Sequence, residues 1–281
     1  MPTFAHFGQR LSYDEFGAGD RTVVLLHGLL LNKRMHEPLA RELAARGNRV
    51  VTLDLLGHGD SDRPRDMWRY SMSFFGEQTI ALLDHLDIDE AVVMGTSLGA
   101  NTTLEAAAIA PERLRGMVVE MPVLDGALVA CGIAFMPPLL TLKYAEPAAR
   151  ILQTAARAIP RGMFGFLGDV VLDTVRQDPG PSASVLEGLF FGRIAPPRSE
   201  RQQIETRSLV LGHPRDPIHP FSDADSLVRE LRNARKVDAS WILEMRITPK
   251  RLTDEIAAFV DECWRPATAP VEQRSRRAAG A

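Results

Sequence analysis

The sequence predicts an α/β fold, a parallel sheet whose strands are joined by crossover helices. Short apolar runs rich in β-branched residues recur along the chain, as expected of strands buried on both faces. Segments with helical apolar spacing separate them, which is the pattern of crossover connections. From about Val123 to Arg207 the alternation stops, and Ala, Leu, Phe, Gly and Pro dominate. That stretch reads as a helical insertion laid over the sheet.

The elements follow in order. Thr22–Leu26 (TVVLL) is the first buried run. Glu37–Arg46 has helical spacing at Leu39, Leu43 and Ala44, and Gly47 suits its C-cap. Arg49–Leu53 is the next strand, Ser73–Leu86 an amphipathic helix and Ala91–Met94 (AVVM) a strand. Leu98–Ala110 is a helix that Pro111 stops, and Gly116–Met121 is again extended. The insertion carries helical patches at Pro147–Ala158 and Ser184–Phe190. Beyond it come the Ser208–Leu211 strand, the Ser222–Leu231 helix, the Lys236–Ala239 strand and the Pro249–Glu262 helix. Thr248 can N-cap that last helix, with Pro249 at its first position. The reading is one domain over 1–264, with a core of 1–122 and 208–264 and a cap over about 123–207. Residues 265–281, polar and rich in Pro, Ala and Arg, are expected to form a disordered tail.

Composition narrows the partners. The 281 residues are 45% hydrophobic and 25% charged, with a net charge of −3, so no basic field argues for nucleic acid or an anionic membrane. The N-terminus has no apolar leader, and a cytoplasmic location is expected. The longest uncharged stretch, Gly126–Leu142, is interrupted by Pro137-Pro138 and falls short of the ~20 apolar residues of a membrane span. It is expected to be buried or to line a cavity. Cys131 and Cys263 have neither metal-site nor redox spacing, so free thiols are expected, with no metal and no cofactor. The expected partner is a small-molecule substrate or ligand.

The chemistry concentrates at Gly95-Thr96-Ser97-Leu98-Gly99, between a buried strand and an Ala-rich helix. A G-x-S-x-G turn in that setting lifts the serine Oγ clear of the backbone, and the helix N-terminus behind it favours negative charge on a reacting oxygen. His27-Gly28-Leu29 follows the first buried strand, where the Leu29 N–H can join that of Leu98 as an oxyanion hole. The His27 ring either pins this loop or faces the pocket. Trp68 and Tyr70, in MWRYSM, either edge the pocket or pack in the core. Phe135, Met136, Phe164, Phe166, Phe190 and Phe191 suggest either an apolar cavity wall or a seam holding the cap to the sheet.

Several motifs in order resemble the α/β-hydrolase fold superfamily: VVLLHGLL (23–30), VVTLDLLGHGDSDRP (50–64), VVMGTSLGA (92–100), LVLGHPRDPIHP (209–220) and the PKRLTDEIAAFV helix (249–260). The resemblance implies an eight-stranded, mostly parallel sheet flanked by helices, with a helical cap insertion. It implies Ser97 as nucleophile and Asp216 as the acid, with Asp125, after the preceding strand, as the alternative acid. Serine at the elbow sets the chain apart from relatives that use aspartate there. Ester, lactone, thioester or C–C bond substrates remain.

One position departs from the family pattern. The family places its catalytic histidine after the last strand, and here that position, seven residues before Pro249, is Ile242. SWILEMR (240–246) offers Ser240, Trp241, Glu244 and Arg246 but no imidazole. Without a base, a serine hydroxyl is a poor nucleophile at neutral pH. His219, three residues after Asp216, is one replacement. In the family's strand order its loop lies two strand spacings from the elbow, ~9.6 Å at ~4.8 Å per spacing. Glu244 is another replacement, if burial raises its pKa. The third reading has no replacement, and makes the chain a weak hydrolase or a ligand-binding protein on a hydrolase scaffold; a lyase or isomerase that forms no acyl-enzyme is a further alternative. Trp241 and Glu244 join His27, Trp68 and Phe135 as candidate pocket residues.

Overall fold

A computed structural model describes residues 1–265. The expected disordered tail therefore lies, from residue 266 onward, outside the described residues. The core is an eight-stranded sheet in the order β1-β2-β4-β3-β5-β6-β7-β8. The strands are β1 Thr3–His6, β2 Gln9–Phe16, β3 Thr22–Leu26, β4 Arg49–Asp54, β5 Ala91–Thr96, β6 Leu114–Glu120, β7 Ser208–Gly212 and β8 Ala234–Asp238. From β4 to β8 every pairing is parallel; β1–β2 and β2–β4 are antiparallel.

The parallel strands are apolar on both faces because helices cover both. Val23, Leu25, Val92, Met94, Val118 and Leu209 point to the side of α1 (Glu37–Ala45) and α11 (Lys250–Trp264). Val24, Leu26, Val93, Val119 and Val210 point to α2 (Met72–His85), α3 (Leu98–Ile109) and α9 (Phe221–Glu230). The period-two alternation of a strand thus divides one run of valines and leucines between two cores.

The leading strands β1 and β2 carry mixed polar and apolar residues and give no apolar run. Their hairpin turns on Phe7 (φ 45°) and Gly8 (φ 73°), the paired positive φ of a type I′ turn. Thr248 does not cap the last helix. Its own N–H bonds the Glu244 carbonyl at 2.9 Å, closing α10 (Glu244–Ile247), and Pro249 takes the N-cap position of α11.

Between β6 and β7 lie α4 (Leu128–Tyr144), α5 (Glu146–Ala158), α6 (Gly165–Val175), α7 (Pro179–Phe191) and the short α8 (Arg198–Arg201). Pro137-Pro138 does not interrupt this segment; both prolines sit inside α4. Nor is α4 buried: Leu139 is its one buried residue, while Val129 and Ile133 are about three-quarters exposed. By length and composition the Asp125–Tyr144 segment could cross a bilayer. In the fold one face of α4 closes a pocket above the sheet, and its other face is open.

Candidate active site

The site is built at the carboxyl ends of β5 and β7, where open α/β sheets place their ligands. Ser97 follows β5 directly and has φ 53° and ψ −110°, a conformation that non-glycine residues seldom adopt. Two hydrogen bonds hold it there: its N–H to the Glu120 carbonyl at 2.9 Å, and the Asn101 N–H to its own carbonyl at 3.1 Å. The glycines of the motif are required by contact. A Cβ at Gly95 would fall on the Gly99 carbonyl, and one at Gly99 on the Leu26 carbonyl. The turn can be this tight only where both positions lack side chains.

The loop after β7 brings the other two groups. His219 Nε2 lies 2.8 Å from Ser97 Oγ, and its Nδ1 lies 2.8 Å from Asp216 Oδ2. The second Asp216 oxygen accepts the backbone N–H groups of Ile218 (2.8 Å) and His219 (3.0 Å). Burial raises the Asp216 pKa, but the His219 ring and these two amides outweigh it and hold the carboxyl below its ordinary range. An ionised Asp216 places the imidazole proton on Nδ1 and leaves Nε2 as the acceptor facing the serine.

The Leu98 N–H opens α3 and the Leu29 N–H lies in the turn after β3; neither bonds an intramolecular acceptor among the described residues. Both residues and Ser97 line one cavity of about 210 Å³, whose other walls include Leu128, Phe135, Leu186 and Phe190 of the cap. The Asn101 side chain fixes a wall by donating to the carbonyls of Val123 (2.7 Å) and Ile194 (2.6 Å).

Other residues singled out from the sequence lie elsewhere. His27 is fully buried, with Nδ1 donating to the Gly28 carbonyl (2.8 Å) and Nε2 accepting the Leu55 N–H (3.1 Å). It pins the loop, and burial lowers its pKa and keeps it neutral. Trp68 is not a pocket residue: it is 81% exposed, while Tyr70 turns inward and donates to the Pro64 carbonyl at 2.5 Å. Trp241 is exposed in the loop after β8 and does not line the cavity. Glu244 is not placed to act on Ser97. Arg251 grips it with two bonds, of 2.7 and 2.8 Å, and that pairing lowers its pKa to about 2. Asp125 is exposed, and the ring of His219 pairs with Asp216 instead. Of the cap aromatics, Phe135 and Phe190 reach the cavity, whereas Phe164 and Phe191 face outward.

Sequence reasoning passed over a buried charged cluster beneath the elbow. Glu120, at the end of β6, accepts from Thr96 Oγ1 and from Arg246 (2.9 Å) and faces His213 Nε2 at 3.3 Å. His213 Nδ1 in turn bonds the carbonyl of Ile242 at 3.0 Å. Burial raises the Glu120 pKa, but Arg246 and His213 more than offset that, so it stays ionised. The signal was there: a lone carboxylate ending a buried apolar strand, GMVVE, demands partners.

The comparisons with known proteins agree with this architecture. A family model described as alpha/beta hydrolase fold matches residues 21–208, and the chain belongs to that family. It is 33% identical over 162 residues to the dihydrolipoyllysine-residue acetyltransferase component of the acetoin cleaving system of Pseudomonas putida, covering 52% of this chain and 42% of that protein. It is 32% identical over 131 residues to the 2-hydroxymuconate semialdehyde hydrolase of Pseudomonas sp. (strain CF600), covering 42% of this chain and 44% of that one. The chain thus spans less than half the length of these curated relatives. Among solved structures, the enol-lactonase of Burkholderia xenovorans LB400 superposes with a TM-score of 0.74 at 21% identity, covering 92% of this chain and 100% of that one; the likeness is one of fold.

Proposed function

We propose that this chain is a serine hydrolase that cleaves a modest, largely apolar carboxylic ester, lactone or thioester. The observation that carries the reading is the relay Ser97 Oγ–His219 Nε2–His219 Nδ1–Asp216 Oδ2, with 2.8 Å at each hydrogen-bonded contact. In this scheme His219 takes the Ser97 proton as the oxygen attacks the acyl carbonyl. The N–H groups of Leu29 and Leu98 receive the negative charge that develops on the carbonyl oxygen. The imidazolium then protonates the leaving alkoxide or thiolate, and the acyl group remains on Ser97. Water, deprotonated by His219, attacks the acyl-enzyme and releases the carboxylic acid.

The chain supplies its base from the loop after β7, beside the acid, while the position after β8 is Ile242. Apolar walls over the site favour an apolar acyl or alcohol group. A relative named as a semialdehyde hydrolase is in keeping with a hydrolytic reaction. The contact between imidazole and hydroxyl speaks against the ligand-binding alternative, which was motivated by a missing base.

The test is hydrolysis of a series of p-nitrophenyl esters of increasing acyl length by wild type and Ser97→Ala. Turnover by the wild type that disappears in the variant supports the reading. A wild type that is folded, binds the esters and hydrolyses none contradicts it.

A further inference from the structure

A second cavity, of about 270 Å³, opens at the carboxyl ends of β3 and β4. It contains none of Ser97, His219 and Asp216, but Asn32 lines it and Leu29 lines the catalytic cavity, so one loop serves both. Its floor is the Asn32–Arg34 turn and the loop from Asp54 to Arg63; its roof is the ends of α5 and α6 in the cap.

The lining carries six cationic side chains and three carboxylates. Lys33, nearly fully buried, bridges Asp54 and Asp60 at 2.9 Å each. Asp173 gathers Arg34 (2.9 Å), Arg161 (3.1 Å) and Arg176 (3.0 Å). Those pairs engage every carboxylate of the lining. Arg63 and Arg157 are left with no carboxylate in ion-pairing distance among the described residues: Arg63 donates to the Gly59 carbonyl, and Arg157 to the Arg176 carbonyl at 3.0 Å. Burial lowers the Arg63 pKa; Asp54 opposes that, and the like charge of Arg157 adds to it. Asp60 and Asp178 also act on Arg63 from beyond ion-pairing distance, but neither guanidinium has a carboxylate in contact, and an anion between the two would offset their mutual repulsion. Gln177, 5% exposed, lines the same cavity, and its Oε1 has no partner, an acceptor for a hydroxyl or a protonated phosphate oxygen.

We propose that this cavity binds a small phosphate-bearing ligand, with Arg63 and Arg157 as its anchors and Arg34 and Arg161 at its rim. Guanidinium forks match the oxygens of a phosphate group, and the volume suits a small metabolite. The ligand would bridge cap and core beside the oxyanion loop, because Gln177 Nε2 already bonds the Leu30 carbonyl and Asn32 bonds Asp173 at 3.1 Å.

Calorimetric titration of the full chain with inorganic phosphate, pyrophosphate and glycerol 3-phosphate tests this, with sodium chloride at matched ionic strength as the reference. The readout is independent of turnover. One-to-one binding is expected, weakened about tenfold or more in Arg157→Gln. That side chain is exposed, so its loss does not threaten the fold. Arg63→Gln is expected to weaken binding further. Tightest binding of inorganic phosphate identifies the free ion, and tightest binding of glycerol 3-phosphate an organic phosphate; either supports the proposal. Absence of heat with all three phosphates, heats matched by chloride, or affinity unchanged in Arg157→Gln would overturn it.

Discussion

At the scale of single residues, the proposed reaction depends on how Asp216 holds His219. Replacing Asp216 by Asn removes the charge that keeps the proton on Nδ1 and lets the ring turn its N–H toward Ser97. Turnover of the best ester should fall by roughly 10³–10⁴-fold with little change in KM; an unchanged kcat would remove Asp216 from the relay. Glu244 makes a different kind of contribution. Its folded pKa of about 2 lies below its ordinary 4.5, so its pairing stabilises the fold above pH 4.5 and loses that effect as pH falls toward 2. Glu244→Gln should therefore lower Tm at neutral pH, with the gap to wild type closing as the pH is brought down from about 4.5 toward 2. Thermal unfolding followed across that range reads the difference.

At the scale of elements, the loops at the carboxyl ends of the strands are pinned by buried polar contacts as well as by buried leucines such as Leu55 and Leu56. Lys33 ties the turn after β3 to the loop after β4 through Asp54, both side chains being nearly fully buried. Lys33→Met leaves the Asp54 carboxylate buried without its cation, and a loss of about 3–5 kcal/mol is expected in urea unfolding. A loss under ~0.5 kcal/mol would mean the pair adds nothing to the fold. The strands themselves were legible in the sequence because a run such as TVVLL has few alternatives. The β1–β2 hairpin was not, because QRLSYDEF mixes polar and apolar residues without a clear period. The course of α4 was misjudged for a physical reason: prolines at 137 and 138 disfavour a helix, yet on this largely solvent-facing helix the structure accommodates both.

At the scale of the whole molecule, the sheet fixes the elbow and the loop after β7, and the cap sets the size of the cavity between them. Phe135 on α4 forms part of that wall. Phe135→Ala should shift the preferred ester toward longer acyl chains while leaving the labelling of Ser97 intact, which rates across a chain-length series will show. Ser97 and the Leu29 and Leu98 amides were readable from their offsets to buried strands, whereas Asp216 was singled out only through the resemblance to the family, with Asp125 as the alternative. Pocket residues were harder, since burial depends on packing partners distant in sequence. Trp68 faces water while Tyr70, two residues on, is buried, and nothing local distinguishes them. His219 was readable only as one option, because its reach to the serine depends on the strand order and on the turn that Asp216 itself stabilises.

In the proposed reaction His219, from the same loop as the acid, activates Ser97. Its most direct test is the rate of labelling by a fluorophosphonate, compared among wild type, Ser97→Ala and His219→Ala. Rapid labelling of the wild type is expected, with none of Ser97→Ala and a rate at least a hundredfold lower, roughly the scale of general-base catalysis, in His219→Ala. Labelling of His219→Ala at the wild-type rate would contradict it.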